Sequence, residues 1–424
     1  MQSLCHGIWL ASVSVQPGAQ AMYHYYQAYA DLTDPVRMLA ANAERILTTW
    51  GSNVTASPIK RMAAYYELVT LAGFTHARPD YGIKTVNVRG ETKMVSETVV
   101  LDTDFCSLLR FTRKGGEDAP KVLLLAPMSG HFATLLRGTV RTLLKDYQVY
   151  LSDWKNVRDI PLAAGPFDLD DFIEHIIRFI KFLGPQLHVM AVCQPTVPAL
   201  AAVALMAQDK DPDQPASLTL MAGPIDTRIS PTVVNKLATD HPIEWFREKL
   251  VGIVPGSLKG SGRLVYPGFL QLAAFMSMNL ERHAKSFADL FKHRLEGEFE
   301  KADTIRDFYK EYFAIMDLSG EFYLQTIKSV FQDAALAQGQ LSYRGRLIEP
   351  QAIKRTFLLT VEGERDDICA IGQTLAAHDL CSGLRPYMKS HHMEPGAGHY
   401  GVFNGKRWDN RIYPKVRDHI QGSV

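Results

Sequence analysis

The chain has 424 residues, 46% hydrophobic and 21% charged, which describes an ordinary globular protein with a substantial core; the length allows two or three domains, or one large α/β core with insertions. Its 46 basic and 45 acidic residues leave a net charge of +1, which supplies no electrostatic footprint for nucleic acid. Five cysteines, Cys5, Cys106, Cys193, Cys369 and Cys381, show neither zinc-ligand spacing nor a dense disulfide pattern and fit a reducing compartment, and polar residues interrupt every stretch that would otherwise span a bilayer.

Residues 1–21 read as an upstream, dispensable extension. Ile8 to Val15 is mildly apolar and Ala19-Gln20-Ala21 resembles a cleavage site, but no Lys or Arg precedes the apolar run, which argues against a secretion signal. Residues 22–84 read as an N-terminal helical segment, with apolar and aromatic positions through Tyr23 to Leu47 and Met62 to Leu71. Residues 85–235 read as the first part of an α/β core. Thr85 to Arg89 and Glu97 to Asp102 have the pattern of half-exposed strands, Leu108 to Thr112 follows, and Lys121 to Leu125 is a buried central strand. Strands and helices then alternate, which predicts a mostly parallel sheet flanked by helices.

Within that alternation, Phe172, Ile173, Ile176, Ile177, Ile180 and Leu183 recur at helical spacing until Gly184-Pro185 stops the helix. Leu187 to Val192 is an apolar strand, and Val197 to Met206 is so uniformly small and apolar that it must be a buried helix. Ala216 to Ala222 is the next strand. Over residues 236–349 the strand signal largely disappears, and aromatic-rich helical sequence such as Tyr266 to Phe291 and Thr304 to Ala337 predicts an inserted helical cap. Residues 350–424 return to the core, beginning with the buried strand Thr356 to Val361.

The chemistry is concentrated at strand ends. Cys193 follows the Leu187–Val192 strand and at once precedes the buried helix, as a nucleophile does at a sharp strand-to-helix turn. Such a turn strains its central residue and needs small neighbours; Ala191 is small, and Pro195, in place of the usual glycine, suits the first turn of a helix. The spacing alone is equally met by a buried cysteine acting as a small hydrophobe. Glu362-Gly363-Glu364-Arg365-Asp366-Asp367-Ile368 places acids just past a strand end, and Gly396-Ala397-Gly398-His399-Tyr400-Gly401 places a histidine in a glycine-rich loop. Nucleophile, acid, histidine is the chain order of α/β-hydrolases.

The segment from Ala126-Pro127-Met128-Ser129-Gly130-His131 to Val140, the Val192-Cys193-Gln194-Pro195 turn, the Glu362–Ile368 loop and Gly398-His399-Tyr400-Gly401-Val402-Phe403 together resemble intracellular polyhydroxyalkanoate (polyhydroxybutyrate) depolymerases. The resemblance runs from Met22 over nearly the whole chain. It implies an α/β-hydrolase fold with a Cys-Asp-His triad, whose members fall on Cys193, Asp366 and His399; Asp367 fits the acid's loop as well. The oxyanion-hole donors expected from such a site are the backbone N–H groups of Gln194 and Ser129. His131 is expected beside the site or as a loop-holding residue. Phe269, Phe275, Met276 and Met278 are either core or a greasy surface for polymer. Adjacent His391 and His392 lack partners at metal-ligand spacing, so no metal or cofactor is expected, and the four cysteines other than Cys193 read as inert.

The resemblance further implies amorphous poly(3-hydroxybutyrate) and related short-chain polymers as substrate, at storage granules in a bacterial cytoplasm. Coenzyme A as an alternative acyl acceptor and an oligomeric state are not excluded. Two other readings stand beside hydrolysis. One is a polyhydroxyalkanoate synthase-like acyltransferase, although that family's turn carries glycines around the cysteine. The other is a non-catalytic granule-associated protein, against which the complete set of triad groups argues.

Overall fold

A computed structural model describes residues 18–51, 57–278 and 280–423. Its centre is a nine-stranded sheet in the order β1-β2-β3-β5-β4-β6-β7-β13-β14. The strands are β1 (Thr85–Val88), β2 (Glu91–Asp102), β3 (Cys106–Arg113), β4 (Lys121–Leu125), β5 (Gln148–Trp154), β6 (His188–Val192), β7 (Ser217–Met221), β13 (Phe357–Gly363) and β14 (Lys389–Glu394). From β5 to β14 every neighbouring pair is parallel, while β1, β2 and β3 form an antiparallel extension at one edge. β5, β6 and β7 are buried along their whole lengths because helices cover both faces, which is why β6 and β7 read as mostly apolar runs rather than alternating ones, while β5 buries Gln148, Ser152 and Asp153 as well.

The covering helices follow from equally local causes. Helix α1 (Ala19–Gly51) and helix α2 (Ser57–Leu71) form the N-terminal segment, and α3 (Arg137–Leu143) follows β4. Helix α4 (Leu169–Leu183) begins at Asp168, whose side chain accepts the Asp171 N–H while the Asp171 side chain accepts the Asp168 N–H, a reciprocal cap that satisfies two orphan donors. It ends at Gly184. Helix α5 (Thr196–Gln208) is buried continuously from Thr196 to Met206 between the sheet and its neighbours.

The chain leaves the sheet after β7 and returns at β13, and this long insertion is the cap. It contains α6 (Val233–Asp240), α7 (Ile243–Leu250), α8 (Gly268–Met278), α9 (Leu280–Glu296), α10 (Phe299–Tyr312) and α11 (Gly320–Thr326). The expectation that strands are nearly absent needs correction. β8 (Gly252–Ile253), β9 (Leu264–Tyr266) and β10 (Leu318–Ser319) form a three-stranded antiparallel sheet, and β11 (Ser342–Tyr343) pairs with β12 (Arg346–Leu347). Strands of two or three residues are too short to develop a period of two, so no pattern announces them.

The helical run expected from Thr304 to Ala337 is likewise broken, after Tyr312, and the break has a purpose in the packing. Asp317 is fully buried there. Its carboxylate accepts the Gly268 N–H at 2.9 Å and the Tyr23 hydroxyl, and its own N–H donates to Asn156 Oδ1 at 2.9 Å. One residue thereby joins the cap to α1 and to the loop after β5. Tyr26 of α1 stacks on Phe269 of α8 at 4.2 Å between ring centroids, so Phe269 is packing rather than free surface. Residues 1–17 lie outside the described residues; Ala19, Gln20 and Ala21 form the first turn of α1, where Gln20 Oε1 accepts the Ile253 N–H at 2.5 Å. Among the described residues no helix is long and apolar enough to cross a membrane.

Candidate active site

Cys193 stands one residue beyond β6 with φ of +65°, in the left-handed region that a non-glycine residue occupies only when its surroundings hold it there. The restraints are specific. The Cys193 N–H donates to Met221 O at 2.8 Å, at the end of the neighbouring strand β7, and the Cys193 carbonyl accepts from the Thr196 N–H at 3.1 Å and the Thr196 hydroxyl at 2.8 Å. Pro195 is the N-cap of α5, with φ of −70°, so the helix N-terminus begins against the thiol. The close approach that a glycine inside the turn would permit occurs across from it instead. Gly223, just past β7, lies so near Thr196 that an added Cβ would fall 1.9 Å from the Thr196 hydroxyl oxygen.

Asp366 lies on the loop after β13. Glu362 is fully buried at that strand's end and its carboxylate accepts the N–H groups of Gly372, Thr374 and Leu375 at 2.8 to 3.0 Å, which folds the loop back on itself. Within that loop Asp366 Oδ1 accepts the N–H groups of Ile368 at 2.9 Å and Cys369 at 2.8 Å, leaving Oδ2 to face His399 Nδ1 at 2.8 Å. Asp366 and His399 are both buried. Asp367 points elsewhere: it is exposed and lines the cleft below the cap.

His399 opens the turn His399–Val402, and its other ring nitrogen reaches the Cys193 thiol. Burial by itself would lower the His399 pKa, but the Asp366 carboxylate and the ionised Cys193, by charge and by hydrogen bond, together raise it well above the usual histidine value. The Cys193 pKa is brought down from the usual thiol range, first by a hydrogen bond from the Cys369 thiol and then, against burial, by the charge and hydrogen bond of His399. The Cys369 thiol is pushed the other way by that same bond and by burial, so it remains protonated and donates. Cys369, expected from its sequence context to be inert, thus stands next to the Cys193 thiol. The signal available was its position three residues after Asp366, which has no meaning until the loop is folded.

Gln194 and Ser129 lie in two loops that are joined to each other. Gln194 Oε1 accepts the Met128 N–H at 3.1 Å, tying the turn after β6 to the loop after β4. Among the described residues the backbone N–H groups of Gln194 and Ser129 have no protein acceptor, and neither has the buried Gln194 Nε2. Gly130, with φ of +85°, lets the next residues pair with the cap: His131 bridges to Ile315, and the Gly130 carbonyl accepts the Met316 N–H at 2.9 Å. His131 Nε2 donates to the Tyr312 carbonyl at 3.2 Å, and burial lowers its pKa to about 4, so it is a neutral residue holding the loop against α10.

A cleft of about 720 Å³ opens beside His399. The cap contributes Phe275, His283, Phe308 and Tyr312, and the catalytic-side loops contribute Ile368, His399 and Tyr400. Met276 is half-buried in the cap cluster, and the Met278 side chain lies outside the described residues. Another cavity, of about 750 Å³, lies between α1, α2 and α10 and touches none of the residues singled out for chemistry. His391 is bonded to the Thr360 hydroxyl and His392 to Glu394. Among the described residues His293, Glu296 and Glu298 come close enough to share a metal ion, at the end of α9 and away from the residues lining the cleft.

In comparison with known proteins, residues 222–423 match the family described as PHB de-polymerase C-terminus. No curated protein matches the chain. Solved structures similar to it include the monoacylglycerol lipase of Paleococcus ferrophilus, 13% identical, covering 72% of this chain and 95% of that one with a TM-score of 0.42. They also include 2-hydroxy-6-oxo-6-phenylhexa-2,4-dienoate hydrolase from Rhodococcus sp. strain RHA1, at 15% identity, 78% and 99% coverage and a TM-score of 0.41. The matched region holds both Asp366 and His399, and the sheet order around it is that of an α/β-hydrolase. Over residues 222–423 the chain is similar to the PHB depolymerase family, and its sheet is that of an α/β-hydrolase fold.

Proposed function

We propose that this protein is a poly(3-hydroxybutyrate) and short-chain polyhydroxyalkanoate depolymerase that cleaves polymer esters through a Cys193 acyl-enzyme, acting on storage granules in a bacterial cytoplasm. The family match supports an ester hydrolase. The observation that carries the cysteine mechanism is the hydrogen-bonded line from Asp366 through His399 to a thiol held at positive φ against a helix N-terminus.

In this reading Cys193 and His399 rest as thiolate and imidazolium, so the nucleophile is ready before substrate arrives. The thiolate attacks an ester carbonyl, and the oxygen that becomes negative is received by the N–H groups of Gln194 and Ser129, which have no competing protein acceptor among the described residues. Collapse of the tetrahedral intermediate expels the polymer alkoxide, which takes the His399 proton. A hydroxyacyl thioester remains on Cys193. Neutral His399 then removes a proton from water, the resulting hydroxide attacks the thioester, and the thiolate leaves to give a 3-hydroxyalkanoate monomer or oligomer. Asp366 fixes the ring so that Nδ1–H faces the carboxylate and the other nitrogen faces the chemistry. The cleft beside His399, which the cap lines with Phe275, Phe308 and Tyr312, suits an aliphatic polyester chain.

The test is release of 3-hydroxybutyrate from amorphous poly(3-hydroxybutyrate) granules by the protein beside its Cys193→Ala variant. Release that vanishes in the variant is expected. Equal release by both would remove the cysteine from the mechanism. No release from either, with tight granule binding, would favour the granule-associated reading, and acyl transfer to coenzyme A without acid release would favour thiolysis.

A further inference from the structure

The Cys369 thiol is one group the hydrolytic mechanism does not use, yet it is set against the atom on which that mechanism turns. We infer that Cys193 and Cys369 form a two-thiol modification site that a hydroperoxide converts to an intramolecular disulfide, reversibly blocking the nucleophile. Three observations meet there. Both cysteines carry free thiols, with Cys193 partly exposed and Cys369 buried behind it. Their sulfurs are within hydrogen-bonding reach, Cys369 donating to Cys193. The Cys369 backbone is held by Asp366 Oδ1, while the same carboxylate's Oδ2 holds His399, so a single side chain sets both neighbours of the Cys193 sulfur.

A thiolate is the form of cysteine that peroxides oxidise, and a second thiol beside it decides whether oxidation stops at a recoverable product. Cys193 thiolate attacks the terminal oxygen of the hydroperoxide and the O–O bond breaks. Sulfur is oxidised to the sulfenic acid, and the departing alkoxide takes the His399 proton to leave as an alcohol, or as water when the oxidant is hydrogen peroxide. Cys369 sulfur then attacks the sulfenic sulfur, the S–S bond forms, and the hydroxyl leaves with the Cys369 proton as water. Two thiols and one hydroperoxide thus give one disulfide, one alcohol and one water. A dithiol reductant reverses the result by thiol–disulfide exchange. Cys106 and Cys381 are buried, in β3 and after the helical turn Ala377–Leu380, and serve as internal controls.

The inference rests on the proposed role of Cys193 only for its effect on activity, because the linkage itself is read by mass. The reduced full-length protein is treated with two equivalents of hydrogen peroxide, enough to carry an unprotected thiol to the sulfinic acid, the remaining thiols are alkylated, and its peptides are mapped. The expected product is the peptide of Cys193 joined to that of Cys369, lighter by two hydrogens, with Cys106 and Cys381 still alkylated. Ester hydrolysis should fall about 10²-fold or more and return with dithiothreitol. In Cys369→Ser and Cys369→Ala the joined peptide should be missing, and Cys193 should proceed to the sulfinic acid with activity that dithiothreitol does not restore. Sulfinic Cys193 beside alkylated Cys369 in the unmodified sequence would overturn the inference. A joined peptide in a protein without hydrolytic activity would leave the site standing and refute the depolymerase reading alone.

Discussion

The turn after β6 and the loop after β13 bring their groups to the same edge of the sheet in different ways. The first is rigid because it is short: Cys193 is forced to positive φ, and its N–H and carbonyl are both taken, by Met221 and Thr196. The second is long, and its shape comes from two buried carboxylates that gather backbone N–H groups, Glu362 at the base and Asp366 nearer the thiol. Cys193 is thus placed by local steric restraint and Asp366 by a polar network, so the two halves of the proposed site should fail differently.

The largest effect expected on the first half is that of Cys193→Ala, a loss of polymer hydrolysis of about 10⁶-fold, down to background, with thermal stability nearly kept. On the second half Asp366→Asn should cost about 10⁴-fold in kcat, while Asp367→Asn, in an exposed residue at the cleft, should stay within about tenfold; steady-state rates of the two variants side by side assign the acid. Equal losses would remove the distinction drawn between the adjacent acids.

Stability separates the halves further. Glu362→Gln leaves several N–H groups sharing one neutral acceptor, and should lower unfolding free energy by about 1 to 3 kcal/mol and loosen the Asp366 loop, seen as faster amide exchange over residues 364–375. Gly223→Ala drives a methyl into Thr196 and should cost about 1 to 3 kcal/mol, with amide exchange quickened at the turn after β6 and unchanged in the Asp366 loop. The smallest effect is in pH dependence. With the Cys193 pKa lowered and that of His399 raised, acylation should be flat through neutrality. Its acid limb, where Cys193 is protonated, should lie below the usual thiol range, and its alkaline limb, where His399 loses its proton, above the usual histidine value. Asp366→Asn removes a charge that raises His399, so the residual activity should lose its alkaline limb at lower pH.

Much of the core was legible because its causes are local. A strand buried on both faces is mostly apolar, so Leu187 to Val192 and Ala216 to Ala222 stand out, and a helix packed on all sides is small and apolar, as Val197 to Met206 is. The cap was legible only as a helical region. Its short strands and the break around Asp317 depend on partners far away in sequence, Tyr23, Asn156 and Gly268, and leave no periodic trace. Asp366 and Asp367 look alike in sequence, since both are acids past a strand end, and only the folding of the loop around Glu362 makes one face His399 and the other the cleft.

By itself the sequence determined where an α/β core could form and which three residue types could meet at its edge, because periodicity, burial and strand-end position are properties of neighbouring residues. The tertiary structure decided which acid reaches the histidine, that His131 turns to the cap, and that Cys369 stands against Cys193. Those outcomes depend on distances between segments widely separated along the chain, which are set only when the sheet, the cap and the buried carboxylates close on one another.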